Sequence, residues 1–90
     1  MNDLTHMMGK EVVADTRSPY VYLGTLEGCS DSFITLRDVD VHDVSDSRST
    51  KEIYIMNARR LGIQRNRARV MIKLTEVVSF SLLSDVLVFD

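Results

Sequence analysis

The chain has 90 residues, 44% hydrophobic and 27% charged, which predicts one small globular domain spanning residues 1–90, of a size that buries only about 60 to 65% of its unfolded surface. No apolar run approaches the roughly 18 residues of a membrane span, "MNDLTHMMGK" lacks the layout of a signal peptide, and the single Cys29 excludes an internal disulfide. A cytoplasmic protein without a membrane partner is therefore expected.

The net charge of −2 hides an uneven distribution. Residues 1–47 carry three basic and nine acidic side chains, residues 48–73 carry eight basic ones against Glu52 alone, and residues 74–90 carry three acids. A segment with a balance of +7 suits an anionic partner, and it equally suits pairing with the acids of the first half.

In chain order, residues 2–8 read as a short helix with Leu4, Met7 and Met8 inward, stopped by Gly9. "KEVVADT" predicts a first strand, "RSPY" a turn and "VYLGTLEG" a second strand. Gly24 sits in the middle of that second strand, where a glycine marks a bend, a bulge or a close backbone approach. "SFITLRDVDVHDV" predicts a long third strand whose apolar side switches partway, from Ile34 and Leu36 to Val39 and Val41, which implies a bend near Asp38 or an exit from the core. After the polar "SDSRST", the spacing Ser49 to Glu52 reads as a capping box, and the late arginines and Gly62 complete a helix of about three turns, against the strand-forming triplet "IYI". "RVMIKL" and "VVSFS" predict two more strands separated only by "TE", too short and too poor in turn residues for a favoured hairpin. Five short strands at this spacing predict a mainly β fold, a small and strongly bent antiparallel barrel in which Gly24 supplies the bend.

Three groups of residues bear on chemistry. Asp38, Asp40 and His42 alternate on one side of an extended strand, but ligands about 7 Å apart do not converge on one ion, so a solvated strand face is expected and no metal. Cys29 has no base nearby in sequence. No nucleophile with a base, no carboxylate pair and no phosphate-cradling loop stands out, so neither an enzyme nor a cofactor is expected. "RRLGIQRNRAR", with Arg65, Arg67 and Arg69, has the arginine density that suits phosphates.

Gly9, Lys10, Val12 and Val13, then Tyr22, Leu23, Gly24, Thr25 and Leu26, then Asp31, Phe33, Ile34, Thr35 and Leu36 follow the order of a known motif, and "VMIKLTEVVSFS" follows the hydrophobic pattern of its second half. In these residues the chain resembles the Sm and Sm-like (Lsm, Hfq-type) proteins, as a divergent member whose fourth loop is lengthened by residues 43–66. The resemblance implies an Sm-like barrel of five strands, with the helix of the insertion between strands 3 and 4. It implies a nucleic-acid site at Asp31, Phe33, Thr35 and Lys73, with Arg65, Arg67 and Arg69 on an outer face. Thr35 stands where relatives carry an Asn that reads the base, Lys73 where they carry an Arg, and Leu74 where they carry a Gly, so stacking on Phe33 is retained and the amide readout is not. It also implies a cyclic homo-oligomer of five to seven subunits in which strand 4 pairs with a neighbour's strand 5, with Met71, Ile72, Val77, Val78 and Phe80 at the joint. The expected partners are thus other copies of the chain and RNA or single-stranded nucleic acid. The alternative is a scaffold ring that binds protein and has lost the uridine site.

Overall fold

A computed structural model describes residues 2–46 and 50–89. Its strands are β1 (Glu11–Thr16), β2 (Tyr20–Cys29), β3 (Phe33–Asp43), β4 (Arg67–Lys73) and β5 (Val77–Leu82), with one helix, α1 (Lys51–Leu61), between β3 and β4. They form a single sheet in the order β4-β3-β2-β1-β5, every neighbouring pair antiparallel. The sheet curls until its two edges share one interior. Ile72 of β4 and Val77, Phe80 and Leu82 of β5 all pack on the cluster formed by Val12, Ala14, Leu26, Ile34, Leu36 and Val39. The expected barrel is therefore present, open between β4 and β5.

The link between β4 and β5 is one 3₁₀ turn, Leu74–Glu76. It carries the chain from one edge of the sheet to the other, so "TE" does not close a hairpin.

The glycine in β2 and the face switch in β3 have one cause. Asp38 adopts a φ of 51°, the left-handed region that non-glycine residues rarely occupy. The β2–β3 register slips there, from Leu23 opposite Asp40 to Thr25 opposite Arg37. One extra residue in β3 inverts its alternation: Ile34 and Leu36 face the barrel before the bulge, and Val39 faces it after. Gly24 lies against this kink. A Cβ there would stand 3.0 Å from the Arg37 carbonyl oxygen and 3.2 Å from a methyl of Val39. The backbone approaches closely because no side chain intervenes.

The other face of the sheet carries a second, smaller core. Val13, Val21 and Leu23 point away from the barrel and are covered by Ala58 of α1 and by Leu83, with Tyr54, Ile55, Ile63 and Val86 around them. Tyr54, Ile55 and Ala58 fall on one side of a 3.6-residue period, which explains why "IYI" is helical here. The helix begins one residue later than the capping box predicts. Thr50 is the N-cap, its hydroxyl accepting the Ile53 N–H at 3.2 Å, and Ser49 lies outside the described residues. Gly62, with φ 95°, ends the helix and donates its N–H to the Ala58 carbonyl.

Lys51 ties the start of α1 to the β1–β2 turn. Its Nζ donates to Asp15 Oδ1 at 2.6 Å, to the Thr16 carbonyl at 2.9 Å and to the Ser18 carbonyl at 2.8 Å.

Two expectations need correction. The N-terminal segment is a 3₁₀ helix, Asn2–Met7, in which Leu4 is buried and Met7 half-buried, while Met8 lies outside it and is exposed. The Asp38–Asp40–His42 face is solvated only in part: Asp38 is exposed, whereas the bulge turns Asp40 under α1, where it is 2% exposed, and His42 is half-buried.

Candidate nucleic-acid interface

Before the bulge, the residues of β3 that point away from the barrel alternate with Ile34 and Leu36: they are Phe33, Thr35 and Arg37. Their β4 partners in register are Lys73, Met71 and Arg69. One outward face therefore carries an aromatic ring, a hydroxyl, a thioether and three cations, with Glu27 of β2 beside them.

Phe33 is half-buried and Lys73 exposed, with no carboxylate paired to Lys73 among the described residues. Asp31 lies in the β2–β3 turn, exposed. That turn is held by Ser30, whose hydroxyl accepts the N–H groups of Ser32 and Phe33 at 3.3 and 3.1 Å and whose own N–H reaches the Phe33 carbonyl at 2.8 Å. Leu74 donates its N–H to the Ser32 carbonyl at 2.9 Å, which clamps the end of β4 to the same turn. Asp31, Phe33, Thr35 and Lys73 are thus brought to one end of the barrel.

The arginines divide. Arg69 forms a two-pronged pair with Glu27, Nε to Oε2 at 2.6 Å and Nη2 to Oε1 at 3.1 Å, and Arg37 approaches the same carboxylate at 3.9 Å. The Arg69 hydrogen bond holds the Glu27 carboxyl below its ordinary range, and Glu27 in turn raises Arg69. Arg65 pairs with Asp38 at 3.3 Å. The Arg67 side chain donates to the Asn66 carbonyl, and among the described residues neither it nor Arg59 and Arg60, on the last turn of α1, has a carboxylate partner. The basic segment is partly neutralised by acids of the first half; Arg48 lies outside the described residues.

The residues expected at a subunit joint fall into two groups. Met71 on β4 and Val78 on β5 are 61% and 58% exposed, each on an edge strand that has a sheet neighbour on one side only. Ile72 is buried in the barrel, with Val77 and Phe80 packed half-buried against the same core.

A further polar cluster lies under α1. The Tyr54 hydroxyl donates to Asp40 Oδ2, Asn66 Nδ2 donates to Asp40 Oδ1 at 3.2 Å, and the His42 ring stacks on Tyr54 with centroids 3.6 Å apart. Asn66 also bridges the Val41 backbone, accepting its N–H at 3.0 Å and donating to its carbonyl at 3.1 Å. Burial first, and then the Asp40 hydrogen bond, push the Tyr54 hydroxyl well above its ordinary range, so it remains a donor. No sequence spacing signals this cluster, since Tyr54 and Asn66 are 14 and 26 positions from Asp40.

Comparison with solved structures finds an Sm protein of Pyrococcus abyssii, in complex with a uridine heptamer, with a TM-score of 0.61 over 90% of this chain and 93% of that one, at 13% identity. The fold is Sm-like. Neither a protein-family model nor a curated protein sequence matches the chain. Among the described residues, no helix is long and apolar enough to cross a membrane.

Proposed function

We propose that this Sm-like chain assembles into a closed homo-oligomeric ring of five to seven copies and binds RNA or single-stranded nucleic acid without catalysis. The observation that carries the reading is the register pair of Phe33 and Lys73, a half-buried aromatic beside a cation that has no carboxylate partner among the described residues. An aromatic stack on any base is worth about 1 to 3 kcal/mol, and an adjacent cation answers the phosphate. Asp31 and Thr35 flank this pair, and Arg67 and Arg69 on β4, with Arg65 just ahead of it, extend the basic character. The ring is supported by the two open sheet edges: an unpaired strand invites another, and cyclic pairing of β4 with a neighbour's β5 would cover Met71 and Val78 together.

The test is a salt-titrated binding assay with oligo-U, oligo-A and mixed RNA, beside native mass spectrometry at micromolar concentration. Affinity that falls steeply with salt, on a species of five to seven subunits, is the expected result. A monomer, or no affinity at low salt, would refute it.

A scaffold ring that binds protein is the second reading. Its support is the capture of Arg69 by Glu27 and of Arg65 by Asp38, which leaves fewer cations for phosphate. Replacing Arg65, Arg67 and Arg69 together separates the two: loss of the ring favours the scaffold, and loss of RNA affinity from an intact ring favours the first reading.

A further inference from the structure

Between the C-terminal half of α1 and the far end of β3 lies a cavity of about 90 Å³, lined by Asp40, Tyr54, Asn57, Ala58, Leu61, Gly62 and Gln64. Asp40, 2% exposed, is the acidic residue among those that line it. Among the described residues, the hydrogen bonds that reach this carboxylate come from neutral groups, the Tyr54 hydroxyl and the Asn66 amide. Among the described residues, no Lys, Arg or His nitrogen comes within 4.0 Å of it. A buried carboxylate is ordinarily paired with a cation, because neutral donors replace only part of the hydration it has lost. A carboxylate offers about four acceptor positions, and the described residues use two of them.

The remaining walls share that preference. Leu61 and Gly62 are the end of α1, where the unpaired carbonyls and the helix dipole favour positive charge. Asn57 and Gln64 add amide groups that can accept further N–H donors, while Ala58 and Leu61 form an apolar wall for a hydrocarbon stem. The volume sets the size: a cavity of about 150 Å³ takes a benzene ring, so this one suits a compact head and not a nucleobase. Arg59 and Arg60, though close in sequence, do not line it.

We infer that this cavity binds an alkylguanidinium group, its planar N–H fork directed at Asp40 and its stem against Ala58 and Leu61. Guanidinium suits the site better than ammonium because it is flat, more weakly hydrated and able to donate to a carboxylate and a neighbouring amide at once. A free alkylguanidine and an arginine side chain presented by a peptide offer the same chemistry. The inference is independent of nucleic-acid binding, since the cavity lies at the opposite end of β3 from Phe33.

The experiment is an NMR titration of the full chain, following the Gly62 amide and the Asn57 and Gln64 side-chain amides. The probes are agmatine, a blocked arginine tripeptide, butylamine and urea. Saturable shifts with agmatine or the tripeptide are expected, at least about tenfold weaker binding with butylamine, and none with neutral urea, in keeping with a charge-assisted pair. Whichever of the first two binds tighter identifies the source. Asp40→Asn, which keeps the shape of the side chain, should lose at least about tenfold in affinity. Gln64→Arg, at an exposed position, places a tethered guanidinium at the rim; it should block agmatine and raise the melting temperature, and it serves as the test should Asp40→Asn fail to fold. Equal shifts with urea, no saturable shift from either guanidinium probe, or undiminished agmatine binding by Gln64→Arg would overturn the inference.

Discussion

The two ends of β3 put the same kind of alternating strand to opposite uses. Before Asp38, the residues turned away from the barrel are Phe33, Thr35 and Arg37, beside a row of β4 side chains that are exposed. After it, they are Asp40 and His42, roofed by Tyr54 of α1. What separates them is one extra residue in the strand. A bulge thus does more than bend a barrel: it decides which side chains of a strand meet solvent and which are enclosed, and it lets one strand serve an open face and a covered polar cluster.

The contrast can be broken most severely at Gly24. Gly24→Val pushes a branched side chain into a site where even a single Cβ would stand 3.0 Å from the Arg37 carbonyl, so a loss of about 3 kcal/mol or more is expected in denaturant melts. On the covered side alone, Tyr54→Phe removes a donor from the buried Asp40 carboxylate and should cost about 1 to 3 kcal/mol, leaving nucleic-acid affinity unchanged. On the open side alone, Phe33→Ala should weaken oligonucleotide binding by about 1 to 3 kcal/mol without altering the ring seen by native mass spectrometry.

Alkaline titration separates the two sides again. The folded-state value of Tyr54 is raised, by burial and then by Asp40, so its contribution is complete below the unfolded value near 10 and is lost as pH climbs above it. Thermal melts of the native chain should fall in that range, and melts of Tyr54→Phe should fall less. The smallest effect is expected from Glu27→Gln, which frees Arg69 and Arg37: oligonucleotide affinity should rise a few-fold, and the salt dependence should steepen by about one phosphate contact.

The barrel was legible because its signals are local. The position of Gly24, the change of apolar side across Asp38, the missing turn residues at "TE" and the stop at Gly62 each constrain the chain within a few residues. The helix start was misplaced by one position because Ser49 and Thr50 offer the same hydroxyl, and geometry alone selects between them. The enclosure of Asp40 was not legible. An acid in an alternating strand reads as solvated, and only the bulge together with Tyr54 and Asn66 makes it otherwise. Within the candidate site, Phe33 and Lys73 could be named from the motif, whereas the capture of Arg69 by Glu27 spans 42 positions and leaves no pattern in composition or spacing.

The clasp formed by Lys51 has a consequence for the segment between β3 and β4. A chain that passed directly from β3 to β4, omitting residues 43–66, would lose the ammonium that gathers Asp15, Thr16 and Ser18 and would leave Val13, Val21 and Leu23 only the partial cover of Leu83 and Val86. Such a stripe on a small barrel is adhesive. The segment that joins β3 to β4 is thus a cover fastened to the barrel's outer wall, and trimming it should yield a protein that precipitates before it can be assayed.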